Sequence, residues 1–388
     1  MGRYVAGNQI TLLRNGTEYF PELLKAIDAA QHDIYLQTFI YEADDTGLKV
    51  GAALKQAAAR GVRVHLMLDG FGSRRLSKNY LNELELAGVE VLFYRPKISP
   101  WTFKRNRLRR LHRKVVVVDG LLAFVGGINI IDDMNVPGDN APRIDYSVRV
   151  EGPLISQIYA SVIKLWRRIS WLHISPISPD IPRKKSLAVP TAQKNNGVRA
   201  RYVLRDNVLH RHDIEDAYLS AIRKAKVEII IANAYFIPGR RFRNALINAT
   251  NRGVKVKLLL QGRMEYMITM ATHAFYNDFL QHGIEIYEYR KSFMHSKVAV
   301  IDSRWATVGS SNIDPFSLLL AREANVVVQD TIFAKILRQD LLAAISESAV
   351  QIKPEDWKRK KVASRIFSWL VFGVVRFLIG LVGYPHKH

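Results

Sequence analysis

The apolar positions of this chain fall into short blocks that follow two different periods. Stretches such as 48–60 carry apolar residues at three-to-four spacing and stop at a glycine, which predicts amphipathic helices. Between them lie apolar runs such as "VRVHLMLDG" (62–70), too short for helices and bounded by turn residues, which predict strands. The order helix, strand, helix, strand, short helix, strand occurs twice. Strands alternating with helices predict an α/β fold with a largely parallel sheet.

The two runs are copies of one unit. "ARGVRVHLMLDG" (59–70) matches "NRGVKVKLLLQG" (251–262), and "AIDAAQHDIYLQTFIY" (26–41) matches "AIRKAKVEIIIANAYF" (221–236). A stretch rich in Pro, Ser and Lys separates them. This predicts a first repeat at 1–173, a linker at 174–198, a second repeat at 199–354 and a tail at 355–388. Gly88 to His112 spans 24 residues, whereas Gly283 to His295 spans 12. The surplus holds "RPKISPWTFKRNRLRR" (95–110), whose aromatic and basic mixture suits lipid headgroups or an anionic substrate.

Charge narrows the partners. Lys and Arg number 57 against 35 acidic residues, a formal net charge of +22, which calls for an anionic partner: nucleic acid, an acidic membrane surface or a phosphorylated substrate. The chain has no Cys, which excludes disulfides, thiolate nucleophiles and cysteine zinc sites. The N-terminus does not read as a secretory signal, and Ala6 argues against myristoylation at Gly2. The segment 365–384, "RIFSWLVFGVVRFLIGLVGY", is almost wholly apolar and follows "KRKK" (358–361). With Arg376 in its middle, it is expected to lie in the membrane interface rather than to span, its basic run on anionic headgroups.

The chemistry sits in a second pair of copies: "HRKVVVVDG" (112–120) and "HSKVAVIDS" (295–303). Alternate residues of a strand share a face, so His112 and Lys114 point together, as do His295 and Lys297. Asp119 and Asp302 fall on the other face at a turn and read as scaffold. Seven residues after each Asp come "GGIN" (126–129) and "GSSN" (309–312), small residues that allow close approach, then Asn129 and Asn312 as amide donors. Each half offers one imidazole, one ammonium and one neutral donor. Face to face, the two imidazoles supply a nucleophile and a separate acid for phosphoryl transfer, with the lysines and asparagines on the extra charge. No carboxylate cluster has metal spacing, so no metal or other cofactor is called for.

The duplicated H-x-K-x4-D pattern, intact as His112, Lys114, Asp119 and His295, Lys297, Asp302, resembles the mark of the phospholipase D superfamily. Within it the chain is similar to the bacterial cardiolipin synthases, in the form without N-terminal membrane helices. "LDGFGS" (68–73), "YFIPG" (235–239), "GSSNID" (309–314) and "REANV" (322–326) add weaker support. The resemblance implies two tandem α/β/α sandwich repeats about a pseudo-twofold axis sharing one active site. It counts the six motif residues as the catalytic set. It further implies ping-pong transfer through a phosphohistidine, His112 as nucleophile, His295 as acid and base, phosphatidylglycerol as donor and acceptor, and a place at the cytoplasmic side of a bacterial cell membrane. Members hold each His with a later acidic residue. Asp145 and Glu323 follow their own His by 33 and 28 residues and are the candidates.

Three other classes compete. A phospholipase D that hydrolyses differs only in the acceptor; a metal-independent nuclease would use the same motifs; a membrane scaffold would need none of them. A nuclease has no use for the apolar tail, so a phospholipid membrane and phospholipid substrates are the expected partners, without nucleic acid. Oligomeric state is not readable, because one chain supplies both half-sites.

Overall fold

The computed structural model describes residues 2–95, 109–136, 142–172, 197–206, 209–263 and 271–359, with residue 373. Most of the expected linker, the apolar tail and the 95–110 insertion lies outside the described residues, and β8 begins at the last residue of the expected linker, Val198.

The first half contains β1 (Val5–Arg14), α1 (Asn15–Ala29), β2 (Asp33–Thr38), α2 (Asp45–Ala59), β3 (Arg63–Asp69), α3 (Lys78–Leu86), β4 (Val89–Tyr94), β5 (Lys114–Val118), β6 (Leu122–Gly126), β7 (Tyr146–Glu151) and α4 (Ile155–Leu172). The second repeats the order: β8 (Val198–Arg205), α5 (Asp213–Lys224), β9 (Glu228–Asn233), α6 (Arg240–Asn251), β10 (Lys255–Gln261), a short helix (Tyr276–Gln281), β11 (Glu285–Tyr289), β12 (Lys297–Ile301), β13 (Trp305–Gly309), β14 (Glu323–Gln329) and a long helix, Thr331–Ser348. A last strand, β15 (Ala349–Ile352), edges β11.

All strands join one sheet. Outward from the central pair β1–β8, one side reads β7-β6-β5-β2-β3-β4 and the other β14-β13-β12-β9-β10-β11. The halves are thus related by a pseudo-twofold axis. The expectation of a largely parallel sheet is corrected: parallel pairing is confined to β2–β3–β4 and β9–β10–β11. Only strands joined through helices can run parallel, and the tight turns after β5 and β12 send the chain straight back. The central strands β1 and β8 were also not read from the hydrophobic pattern; β1 alternates buried and exposed positions weakly.

The alternation along β5 divides two cores. Val116 and Val118 pack with Leu23 and Ile27 of α1 and Val50 and Leu54 of α2. Val115 and Val117 face the opposite way, into a central core with Val298 and Val300 of β12, Val162 of α4 and Leu337 of the long helix. That central core takes side chains from both halves, so sheet packing joins the units into one body. Ala299 and Ile301 face a third core under α5 and α6. Among the described residues, no helix is long and apolar enough to cross a membrane.

Candidate active site

The segment before each motif strand crosses to the other half. Leu111 bridges Arg322, and Met294 bridges Ile144. The amide of His112 donates to the Arg322 carbonyl at 3.0 Å, and that of His295 to the Ile144 carbonyl at 2.8 Å. Residues 322 and 144 immediately precede Glu323 and Asp145. Each His is therefore set beside the carboxylate of the opposite half. His112 Nδ1 lies 2.9 Å from Glu323 Oε1 and 3.1 Å from Oε2. His295 Nδ1 lies 2.6 Å from Asp145 Oδ2. The in-half pairing expected from sequence is thus reversed, because the backbone bridges, not chain proximity, decide the neighbour. With Nδ1 engaged, Nε2 is the nitrogen left for chemistry on each ring.

The lysines close the same site. Lys114 Nζ donates to the His112 carbonyl at 2.7 Å, Lys297 Nζ donates to the His295 carbonyl, and Lys297 Nζ lies 3.9 Å from Asp145. Burial holds Lys114 down to about 7 and Lys297 down to about 8, partly opposed by Glu323 and Asp145. Burial raises Asp145 to about 6 against the pull of Lys297. His112 is lowered by burial while Glu323 pulls it up; His295 is driven well below its ordinary value by burial and by Lys297, Lys114 and Arg143. His112 itself also acts on His295, so the two half-sites lie within one electrostatic neighbourhood.

Asp119 and Asp302, counted with the catalytic set on family grounds, are placed elsewhere. Each sits at the far end of its strand, in a turn with φ of 53° and 52°. The Asp119 carboxylate accepts from the amides of Gln31, His32 and Asp33 at 2.7–2.9 Å, and Asp302 accepts from Lys226, Val227 and Glu228 at 2.8–2.9 Å. Five residues of strand, about 16 Å, separate them from the lysines. They cap the start of β2 and β9, at the end of each motif strand away from the lysines.

Asn129 and Asn312 are buried. The Asn129 carbonyl accepts from the Ile40 amide at 3.0 Å, which leaves its NH2 to donate elsewhere. Asn312 Oδ1 is buried and accepts no hydrogen bond among the described residues.

Several neighbours escaped the sequence reading. Ser310 Oγ donates to Glu323 Oε2 at 2.5 Å and accepts from the Ala324 amide at 3.1 Å. Its counterpart is Gly127, where an added Cβ would stand 2.3 Å from Asp145 Oδ1. The Tyr146 amide donates to Asp145 Oδ1 at 2.8 Å. Phe39 packs on His112 with ring centres 4.8 Å apart, and Phe293 lies nearly parallel to His295 at 6.1 Å. Of the two differences between "GGIN" and "GSSN", the one at 127 and 310 was the available signal for the Ser310 contact; the aromatic neighbours left none.

A family model described as "Cardiolipin synthase, PLD-like domain" matches residues 23–144 and 218–344. Cardiolipin synthase B of Escherichia coli K12 is 39% identical over 98% of this chain and 91% of its own length. Cardiolipin synthase 1 of Bacillus cereus is 29% identical over 92% of this chain and 70% of its own. The crystal structure of phosphatidylserine synthase from Haemophilus influenzae superposes with a TM-score of 0.66 at 12% identity, over 97% of this chain and 94% of that one, a likeness of fold. On these matches, the chain belongs to the cardiolipin synthase family of phospholipase D-like proteins.

Proposed function

We propose that this protein is a phosphatidyltransferase that makes cardiolipin from two phosphatidylglycerols and releases glycerol through a phosphohistidine. The observation that carries the reading is the crossed arrangement: two imidazoles, each with Nδ1 on a buried carboxylate, in one site with two buried lysines. The similarity to cardiolipin synthases across the chain supports the substrate class.

In the first step His112 Nε2 attacks the phosphorus, the P–O bond to glycerol breaks, and His295 gives that oxygen its proton. The phosphorylated His112 ring carries positive charge, which Glu323 offsets. In the second step His295 takes the proton from the hydroxyl of another phosphatidylglycerol, the new P–O bond forms and the P–N bond breaks. A strongly depressed His295 is a good acid once the phosphate anion has drawn a proton to it. Lys114, Lys297 and the two asparagine amides suit the equatorial oxygens of the transition state. The basic surplus and apolar tail fit work at an anionic bilayer, with the protein peripheral on the cytoplasmic side of a bacterial cell membrane.

The test is purified protein with labelled phosphatidylglycerol vesicles. A four-chain lipid formed with equimolar glycerol supports the transferase. Phosphatidic acid as the sole product points to a hydrolase, and no lipid product overturns both. His112→Ala should abolish covalent labelling, whereas His295→Ala should still label slowly with an activated leaving group; the opposite result reverses the two roles.

A further inference from the structure

The bridges Leu111–Arg322 and Met294–Ile144 are equivalent under the pseudo-twofold. They make Arg110 the counterpart of Phe293, and Ala321 the counterpart of Arg143. The two ends of the site are therefore built differently. At the His112 end, the guanidinium of Arg110 is locked on both oxygens of Asp69 at 3.1 Å, and Asp69 is fully buried. At the His295 end, an aromatic ring lies along the imidazole, and the guanidinium of Arg143 lies 5.7 Å from the centre of that same Phe293 ring. Arg143 is half-buried and donates to the Asn135 carbonyl at 3.1 Å, while its own amide donates to the Asp133 carbonyl at 2.9 Å. Between those two carbonyls stands Met134, an apolar side chain 51% exposed. The charge of Arg143 reaches the chemistry, since it acts on Asp145, His295 and Lys297.

In an in-line exchange on phosphorus, the incoming oxygen stands at the end opposite the nucleophile, which is the His295 end. We infer that Arg143, with Phe293 and Met134, forms an acceptor subsite that selects an alcohol carrying its own phosphodiester anion. This rests on the transferase reading and on His112 as nucleophile. Phosphatidylglycerol has such an anion three carbons from its terminal hydroxyl, and Arg is suited to hold it. Phe293 and Met134 give its glycerol and chain carbons an apolar wall. Water, ethanol and free glycerol offer Arg143 no anion to pair with. The subsite thereby favours cardiolipin over hydrolysis by binding the acceptor rather than by speeding the chemistry.

The test sets two acceptors against each other on one donor. Phosphatidylglycerol vesicles are supplied with ethanol, and the ratio of cardiolipin to phosphatidylethanol is read. Arg143→Gln should lower that ratio by about 10-fold or more, the size of one charge-assisted contact, and Arg143→Lys should restore most of it. The melting temperature of each variant is measured alongside, and the ratio is taken from folded protein, so a stability loss does not enter it. An unchanged ratio overturns the inference. So does a parallel fall of both products, which would mean that Arg143 serves the donor or tunes His295. Wild-type protein that forms phosphatidylethanol but never cardiolipin overturns the proposed function itself, a result distinct from any behaviour of the variants.

Discussion

Ser310 and Gly127 occupy equivalent positions, and the difference between them decides which carboxylate each half-site accommodates. Gly127 leaves room for the short Asp145, and Ser310 supplies a hydroxyl to the longer Glu323. Gly127→Ser should displace Asp145 and lower kcat by about 100-fold, the usual effect of moving a catalytic group by an ångström, as turnover on phosphatidylglycerol would show. Ser310→Ala leaves a buried carboxylate short of a donor and should cost about 1–3 kcal/mol in a denaturant titration. The depressed lysines and raised Asp145 also predict a pH profile. Below about 6 Asp145 takes up a proton and no longer holds the His295 Nδ1–H as a carboxylate. Above about 7 Lys114 loses its charge, and Lys297 follows above about 8. A plot of kcat/KM should form a bell between these limbs. For stability the sign is opposite. A lysine depressed by folding binds fewer protons folded than unfolded, so raising the pH above about 7 favours the fold through Lys114. Asp145, raised by folding, favours the fold as pH falls below about 6. Comparison of wild type with Lys114→Met at pH 7 and pH 9 should show the wild type gaining relative stability at the higher pH.

Among elements, the turn after each motif strand explains why an aspartate five residues beyond the lysine recurs without joining the chemistry. Asp119 and Gly120 both take left-handed conformations, at φ 53° and 63°; Asp302 and Ser303 do the same at 52° and 49°. In each turn the aspartate ties three amides at the start of the neighbouring strand, fixing β2 against β5 and β9 against β12. Asp119→Asn should lower stability by about 1–3 kcal/mol while turnover per folded molecule holds, and a matched loss of kcat would return the residue to the catalytic set. Ser303→Gly should raise the melting temperature, relieving up to about 1 kcal/mol of left-handed strain. The motif was plain in the sequence, and the face parity of its strand already set the aspartates apart from His and Lys. The central strands β1 and β8 were not, because their alternation is weak and their partner strands are far away in the chain.

At the scale of the whole molecule, neither half supplies both partners of the pairs that His112 and His295 make. Glu323 serves His112 across 211 residues of chain, and Asp145 serves His295 across 150. Glu323→Gln should therefore share the phenotype of His112 variants, and Asp145→Asn that of His295 variants. Glu323→Gln should slow covalent labelling, which His112 carries, whereas Asp145→Asn should still label with an activated leaving group as His295→Ala does. The opposite pattern would return each acid to the histidine of its own half.

The sequence by itself, with both acidic candidates named only through the family resemblance, determined the two repeats, the His and Lys residues, and the face they share on each strand. Those follow from local physics: period, parity, turn chemistry and the repetition of a pattern. Only the tertiary structure decided that the acids exchange partners, that the sheet is mostly antiparallel, and that the two ends of the site differ. The bridges Leu111–Arg322 and Met294–Ile144 join residues from opposite halves, and no local rule specifies a contact of that span. It is set by how the shared central core lets the two halves meet.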